Sequence, residues 1–124
     1  MRAFIIVASL VLALTQVGLA AISRTQAMAE TLAGCKNFMR GATKDRLFSY
    51  EEGYSEGDCV GTIAGINEAA EDICEPDGVT FDQEVLVVVK YIEERPQRMH
   101  ERFSKLAYEA LKATWPCKPD QAGK

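Results

Sequence analysis

The sequence predicts an all-α protein, a small four-helix up-and-down bundle held by two disulfides. Four segments place apolar residues at helical spacing, and turn-forming residues separate them. Four cysteines follow an N-terminus that has the composition of an export signal, and an even cysteine count in that context indicates disulfides. A length of 124 residues corresponds to a single domain.

The N-terminus has the layout of a secretory signal peptide. Arg2 precedes an uninterrupted apolar run over residues 3–14, and small and polar residues follow. This run is too short for a membrane-spanning helix, which needs about 20 apolar residues, although an uncleaved anchor is the alternative. Cleavage after Ala20 or after Ala29 fits the small-x-small rule, and the A-x-A form of residues 27–29 favours the second site.

The predicted organisation is therefore a signal peptide over residues 1–29 and one domain over residues 30–124, in the periplasm, with no membrane segment after cleavage. The domain retains 12 basic and 18 acidic residues, which gives a net charge of −6. Nucleic-acid binding requires clustered basic residues, so this charge argues against it and against an anionic membrane surface. It would suit a basic protein partner.

The first helix is predicted from about Glu30 to Arg40. Leu32, Cys35 and Met39 recur there at helical spacing, and Gly41 is a typical stop. Residues 42–54 are polar with interspersed aromatic residues, so we predict a long loop there, with a short turn around residues 47–50.

The second helix is predicted to begin near Ser55, because Ser55 and Asp58 have the spacing of a capping box. Its apolar stripe consists of Cys59, Ile63, Ile66, Ala70 and Ile73. Gly57, Gly61 and Gly65 form a second stripe. Each glycine costs about 1 kcal/mol in a helix relative to alanine, so we interpret the stripe as a place where another helix approaches closely, within the fold or in a dimer.

A turn at Cys74–Val79 contains Pro76 and an Asp-Gly pair. Thr80 and Gln83 then form a capping box that opens the third helix, predicted to run to Arg95. The run Val85–Val89 is typical of a strand by composition, but the box and the charged end favour helix.

The fourth helix is predicted to start at Pro96, a favoured first-turn residue. Its apolar positions are Met99, Phe103, Leu106, Ala107, Ala110, Leu111, Ala113 and Trp115. Residues 119–124 are predicted to be a loose tail.

Helix geometry selects the disulfide pairing. Cys59 and Cys74 lie fifteen residues apart, about 22 Å along a continuous helix, whereas a disulfide needs Cα atoms within about 7 Å. An up-and-down arrangement brings Cys35 to Cys59 and Cys74 to Cys117. Pairing Cys35 with Cys74 and Cys59 with Cys117 would need a different chain path. A metal site is disfavoured, since there is one histidine and no C-x-x-C pair.

The sequence contains no recognisable catalytic constellation. His100, the only histidine, lies beside the apolar stripe of the fourth helix and is interpreted as a surface residue. Paired carboxylates occur at Glu51-Glu52 and at Glu93-Glu94. Adjacent helical residues do not face each other, so we interpret both pairs as solvated charge rather than as catalytic groups. We therefore predict no enzyme activity, no catalytic residues, no metal and no cofactor.

The polar corner between the third and fourth helices is the predicted partner-binding surface. A fixed proline turn lies beside a dense set of charged and polar side chains. The members of this polar corner are Glu93, Glu94, Arg95, Gln97, Arg98 and Glu101. At the opposite end, the loop Glu75–Gly78 is a second candidate.

Several motifs together resemble one protein family. Cys59–Ile66 (CVGTIAGI) resembles a C-x-G-Y-x-x-G-hydrophobic helix, with Thr62 where the family commonly has tyrosine. Cys74–Gln83 (CEPDGVTFDQ) resembles a C-x-P-x-G-V-T-x-x-Q turn and cap. Residues 88–96 (VVKYIEERP) and the Trp115-Pro116-Cys117 end complete the pattern. By these motifs the chain resembles the Rap/Tai family of type VI secretion amidase immunity proteins.

This resemblance implies a periplasmic, all-helical protein, in a family whose members are often homodimers. It implies binding to a peptidoglycan amidase effector and blocking of its active-site cleft. The alternatives from other classes are a small periplasmic stress chaperone, which would bind many clients at acid pH, and an envelope assembly factor with fixed stoichiometry.

Overall fold

The computed structural model describes residues 24–41 and 48–118. They form four α-helices: α1 over residues 24–39, α2 over Tyr50–Ala69, α3 over Phe81–Glu93 and α4 over Phe103–Thr114. A short 3-10 helix, Pro96–Arg98, lies between α3 and α4. The described residues contain no β-strand, only an isolated bridge between Ile73 and Pro116. The all-α prediction is confirmed, while the expected signal peptide's apolar run and the expected tail lie outside the described residues.

Helix α1 is already formed six residues before its predicted start at Glu30. Met28 is only 1% exposed and packs into the core with Leu32 and Cys35. The helix ends at the predicted place, because Gly41 adopts a φ of 71°, a left-handed conformation that favours glycine. The part of α1 that enters the core is therefore longer at its N-terminal end than the apolar pattern indicated.

Helix α2 begins at Tyr50, so the loop prediction for residues 50–54 was wrong. The cap is Ser49, whose side chain accepts a hydrogen bond from the Glu52 amide, while the Glu52 carboxylate accepts one from the Ser49 amide. Ser55 is not a cap, since its hydroxyl donates to the Glu52 carbonyl inside the helix. Two serine-x-x-acid sequences lie close together, and the upstream one starts the longer helix.

The same helix ends at Ala69, before the predicted end near Cys74. The backbone turns into an extended conformation at Ala70. Ile66 and Ile73 still pack against the core, Ile66 from the helix and Ile73 from the segment that follows it. The apolar stripe therefore continued past the end of the helix.

The glycine stripe of α2 does not face another helix within the described chain, so an intramolecular role for it was wrong. A Cβ atom added at Gly57, Gly61 or Gly65 would meet no heavy atom within 4 Å. The close helix approach occurs instead at Gly34 of α1, where an added Cβ would lie 2.0 Å from the Ser55 carbonyl oxygen. Gly34 therefore sets the separation of α1 and α2.

Helix α3 confirms the helical interpretation of the valine-rich run. Thr80 and Gln83 form the predicted capping box. Val85, Val88, Val89 and Ile92 are buried at helical spacing, whereas Leu86 is 55% exposed. The run therefore has one buried face, as an amphipathic helix requires.

Helix α4 begins at Phe103 rather than at Pro96. Arg95 leaves the helical region before the proline, as predicted, and Pro96–Arg98 then forms a single 3-10 turn. The Arg98 guanidinium binds Glu101 at 2.5 Å and Glu109 at 2.6 Å, which ties this corner back onto α4. These contacts hold residues 96–102 in a bend, where the sequence had predicted the first turns of the fourth helix.

Both predicted disulfides are confirmed. Cys35–Cys59 joins α1 to α2, with Cα atoms 5.3 Å apart. Cys74–Cys117 joins the segment after α2 to the end of α4, with Cα atoms 4.7 Å apart. The Cys74 amide also donates to the Trp115 carbonyl at 2.8 Å, beside the bridge between Ile73 and Pro116. The disulfides thus attach the first helix and the C-terminal segment to the bundle.

Helix α4 packs against both α3 and α2, and its contact with α3 is the more extensive. Residues of all four helices form one core. Its fully buried members include Met28, Cys35, Cys59, Ile63, Val85, Val88, Ile92, Leu106 and Leu111. None of the described helices combines the length and the apolar character that a membrane span requires.

Candidate partner-binding surfaces

The structure brings the residues of the predicted polar corner together, but many of their charges bind each other. Glu93 binds Lys36 of α1 at 2.6 Å. The Arg95 guanidinium donates to the Tyr91 carbonyl at 2.9 Å and lies 3.7 Å above the Tyr91 ring centroid. These side chains therefore connect α3 to α1 and close the end of α3.

Arg98 is the centre of the ionic network at this corner. Its guanidinium contacts Glu101 and Glu109, and Lys105 also binds Glu101 at 2.7 Å. The hydrogen bonds that Arg98 and then Lys105 donate to Glu101 lower the pKa of its carboxyl to about 2. The hydrogen bonds that Arg98 donates to Glu101 and then to Glu109 raise the pKa of Arg98. Glu93, Glu94 and Gln97 are the exposed members of the polar corner, and the Glu94 carboxylate lies 3.7 Å from the Arg95 guanidinium.

A second surface, between α1 and the N-terminal half of α2, was missed at the sequence level. It is a groove of about 500 Å³, which we call the tyrosine groove. Tyr50 is 83% exposed and Tyr54 is 68% exposed, and their rings stack with centroids 6.4 Å apart. The lining residues are Ala27, Glu30, Thr31, Ala33, Asn37, Tyr50, Glu51, Glu52, Tyr54, Ser55 and Asp58. The available signal was the serine-x-x-glutamate box at Ser49, which extends the helix through both tyrosines.

The tyrosine groove is acidic. Four carboxylates line it, and its described lining residues include no lysine or arginine. The Asp58 carboxylate accepts a hydrogen bond from the Thr31 hydroxyl at 2.5 Å, which links the two helices. Glu30 accepts a hydrogen bond from Gln26 at 2.9 Å. The groove therefore presents flat aromatic rings beside negative charge.

The opposite end of the molecule contains a partly buried pair of carboxyl groups. Asn67 donates to Glu84 at 2.5 Å and to Glu75 at 3.4 Å. Burial, followed by the nearby Glu75 carboxylate, raises the pKa of Glu84 to about 7. The predicted loop candidate at Glu75–Gly78 thus begins with a residue that serves the fold through Asn67 and Glu84.

Histidine and cysteine, residue types that often carry catalysis or metal binding, are exposed or covalently paired in the described part of the chain. His100 is exposed, and all four cysteines are in disulfides. Within the described ranges, no three side chains of histidine, cysteine, aspartate or glutamate are grouped as a metal site would require. The fold defines a small helical protein held by two disulfides.

The family comparison names that class. The model of the Rap1a immunity proteins matches residues 25–117, which is most of the chain, and the chain belongs to this family. The resemblance drawn from the cysteine, glycine and proline motifs is thereby confirmed. No curated protein and no solved structure matched the chain.

Proposed function

We propose that the chain is a periplasmic immunity protein that binds and inhibits a cell-wall amidase effector of a type VI secretion system. The observation that carries the proposal is the match to the Rap1a immunity proteins over residues 25–117. Members of an immunity family act by binding a cognate effector.

The physical character of the fold supports this function. Blocking an active-site cleft favours a rigid protein, because preorganised residues lose less conformational entropy on binding. Two disulfides hold α1 and the C-terminal segment in place. An oxidising compartment such as the periplasm permits these bonds to form and persist.

Charge also supports a protein partner. The chain has 18 acidic and 14 basic residues, and opposite fields accelerate the encounter of two proteins. Within the polar corner, we propose Glu94 and Gln97 as the residues that contact the effector, while Arg98 and Glu101 hold the backbone. This assignment is tested by Glu94→Lys, with Glu68→Lys on the exposed face of α2 as the matched control.

The test of the function is capture followed by an inhibition assay. The exported, oxidised protein would be immobilised and exposed to the envelope and secreted fractions of its own cells. We expect a peptidoglycan amidase to be retained at fixed stoichiometry, and its hydrolysis of purified cell wall to stop at an equimolar amount of the added protein.

Other outcomes would contradict the proposal in distinguishable ways. A captured amidase that stays active in the complex would contradict inhibition. Many weakly bound proteins that increase at acid pH would indicate a stress chaperone. A stoichiometric non-enzymatic envelope protein would indicate an assembly factor.

A further inference from the structure

We infer that the tyrosine groove receives a basic segment of the effector, with an arginine or lysine side chain lying against the rings of Tyr50 and Tyr54. This inference rests on the proposed function and specifies the chemistry of the bound partner. It is independent of the polar corner, whose residues belong to α3 and to the segment that follows it.

The two tyrosines have the exposure and the geometry of binding residues. They are the two most exposed large hydrophobic residues of the described chain, at 83% and 68%. Their rings are stacked with an interplanar angle of 25°, and neither hydroxyl has a hydrogen-bond partner among the described residues. Tyrosine is enriched among residues that dominate binding energy, since its ring buries a large area with few rotatable bonds.

The charge of the groove selects a cationic occupant. Among the residues that the structure describes, the lining includes Glu30, Glu51, Glu52 and Asp58 and no lysine or arginine. An aromatic ring face and a carboxylate both attract guanidinium and ammonium groups, and a like-charged partner would be repelled.

The same chemistry already occurs within this chain. The Arg95 guanidinium lies 3.7 Å above the centroid of the Tyr91 ring, and Lys112 lies 5.4 Å from that of Tyr108. Tyr50 and Tyr54 have no such cation among the described residues, only each other. A basic side chain from a partner would provide the contact that the other two tyrosines obtain internally.

The walls of the groove are held rigidly. The Cys35–Cys59 disulfide joins its two helices, and Gly34 allows the α1 backbone to approach the Ser55 backbone closely. The Thr31 hydroxyl and the Asp58 carboxylate add a hydrogen bond across the groove floor. Binding therefore does not require the groove to be ordered first.

The first test compares binding of the captured amidase by the double variant Tyr50→Ala/Tyr54→Ala with binding by Leu86→Ala. Leu86 is 55% exposed on α3, outside the groove, so this variant is the control for loss of an exposed apolar side chain. All three side chains are largely exposed, and both variants are expected to fold. We expect the tyrosine variant to bind at least about tenfold more weakly and the control to stay within about twofold.

The second test separates the groove from the proposed function. The isolated protein would be titrated with the peptide acetyl-Gly-Arg-Leu-Arg-Gly-amide, with the corresponding glutamate peptide as control, and its amide resonances followed by NMR. We expect shifts confined to the groove with the arginine peptide, and loss of these shifts in the tyrosine variant.

The outcomes distinguish the two claims. If the amidase binds the tyrosine variant as tightly as the control, the groove inference is overturned and the immunity function stands. If no amidase is captured, the proposed immunity function is contradicted. Independently of that result, groove amides that do not respond to the arginine peptide would overturn the groove inference. A shift from dimer to monomer in the tyrosine variant, measured by sedimentation, would identify a second copy as the occupant and also overturn it.

Discussion

At the scale of single residues, Gly34 and the glycines of α2 have opposite surroundings. An alanine Cβ at Gly34 would lie 2.0 Å from the Ser55 carbonyl oxygen and 2.6 Å from the Glu56 amide nitrogen. Those contacts are with backbone, which cannot rotate away as a flexible side chain can. A Cβ at Gly61 would meet no heavy atom within 4 Å. The effect of an alanine at Gly61 on stability therefore depends on helix propensity alone. At Gly34 it depends on the packing of α1 against α2.

We accordingly expect Gly34→Ala and Gly61→Ala to change stability in opposite directions. Gly34→Ala should lower the free energy of unfolding by about 2 kcal/mol or more, because α1 and α2 must separate. Gly61→Ala should raise it by up to about 1 kcal/mol, because alanine is the better helix former. Urea denaturation of the isolated protein measures both, and equal effects of the two substitutions would contradict the assignment of the helix contact to Gly34.

Glu84 is the other residue whose surroundings have a measurable consequence. Glu84 is 6% exposed, its carboxyl lies beside Asn67 and Glu75, and its pKa is raised from 4.5 to about 7. Between those two values the folded state retains a proton that the unfolded state releases. The stabilisation is therefore complete below about pH 4.5 and is lost as the pH rises toward 7.

We expect Glu84→Gln to flatten this pH dependence. A glutamine is neutral at every pH and can still accept the hydrogen bond from Asn67, so the variant should exceed the wild type in stability at pH 8 by on the order of 1 kcal/mol. Denaturation midpoints measured from pH 4.5 to pH 8 test this. The exposed Glu68→Gln is the matched control and should keep the wild-type slope, and an unchanged slope in Glu84→Gln would sink the assignment.

At the scale of elements, the ends of the helices depend on contacts that the local sequence does not contain. The bend between α3 and α4 is held by Arg98, which binds Glu101 in the same segment and Glu109 in the middle of α4. The C-terminal segment is held by the Cys74–Cys117 disulfide and by the hydrogen bond from Cys74 to Trp115. Both features fix the chain where its helical pattern is weakest.

Removal of the second disulfide should therefore loosen one end of the molecule as well as lower its stability. The chain-entropy model assigns about 4 kcal/mol to the closure of a loop with a sequence separation of 43. We expect Cys74→Ala/Cys117→Ala to lose about that much in urea denaturation and to exchange the amide hydrogen of residue 74 much faster. Retained protection at residue 74 would show that the bridge between Ile73 and Pro116 holds the segment without the disulfide.

At the scale of the whole molecule, the N-terminal limit of the folded domain bears on export. Residues 24–29 are part of α1, the family match begins at residue 25, and Met28 is 1% exposed in the core. Cleavage after Ala29 would remove this side chain, and loss of a buried methionine costs about 2–5 kcal/mol. Cleavage after Ala20 would retain it, so the burial of Met28 favours the earlier site.

We therefore predict that the exported protein begins at Ala21. Intact mass spectrometry of the protein isolated from the periplasm should give the mass of residues 21–124 with two disulfides. The mass of residues 30–124 would contradict this expectation, as would an unprocessed chain that remains attached to the membrane.

Local patterns were sufficient for much of the fold. The Thr80–Gln83 box, the buried face of α3, the stop at Gly41 and the break before Pro96 each depend on neighbouring residues. The disulfide pairing also followed from the sequence, because the length of a helix excludes a bond between Cys59 and Cys74. The start of α2 did not, since two capping boxes competed and local energies do not rank them.

The binding surfaces were the least predictable part. The polar corner was recognised from its composition. The ion pairs of Arg98 with Glu101 and Glu109 were not, because they form around residues 96–102, which were interpreted as the first turns of the fourth helix. The tyrosine groove was missed because its residues come from two helices, one of which was interpreted as a loop. Exposure of Tyr50 and Tyr54 is a property of the assembled helices.

By itself, the sequence determined that the chain is an all-helical, doubly disulfide-bonded member of an immunity family, because helical periodicity, caps and cysteine spacing are encoded along the chain. Only the tertiary structure decided that Gly34 and not the α2 glycine stripe sets a helix contact, that Met28 belongs to the core, and that a groove with exposed tyrosines lies between α1 and α2. The physical reason is that close approach, burial and exposure depend on which distant residues meet in space.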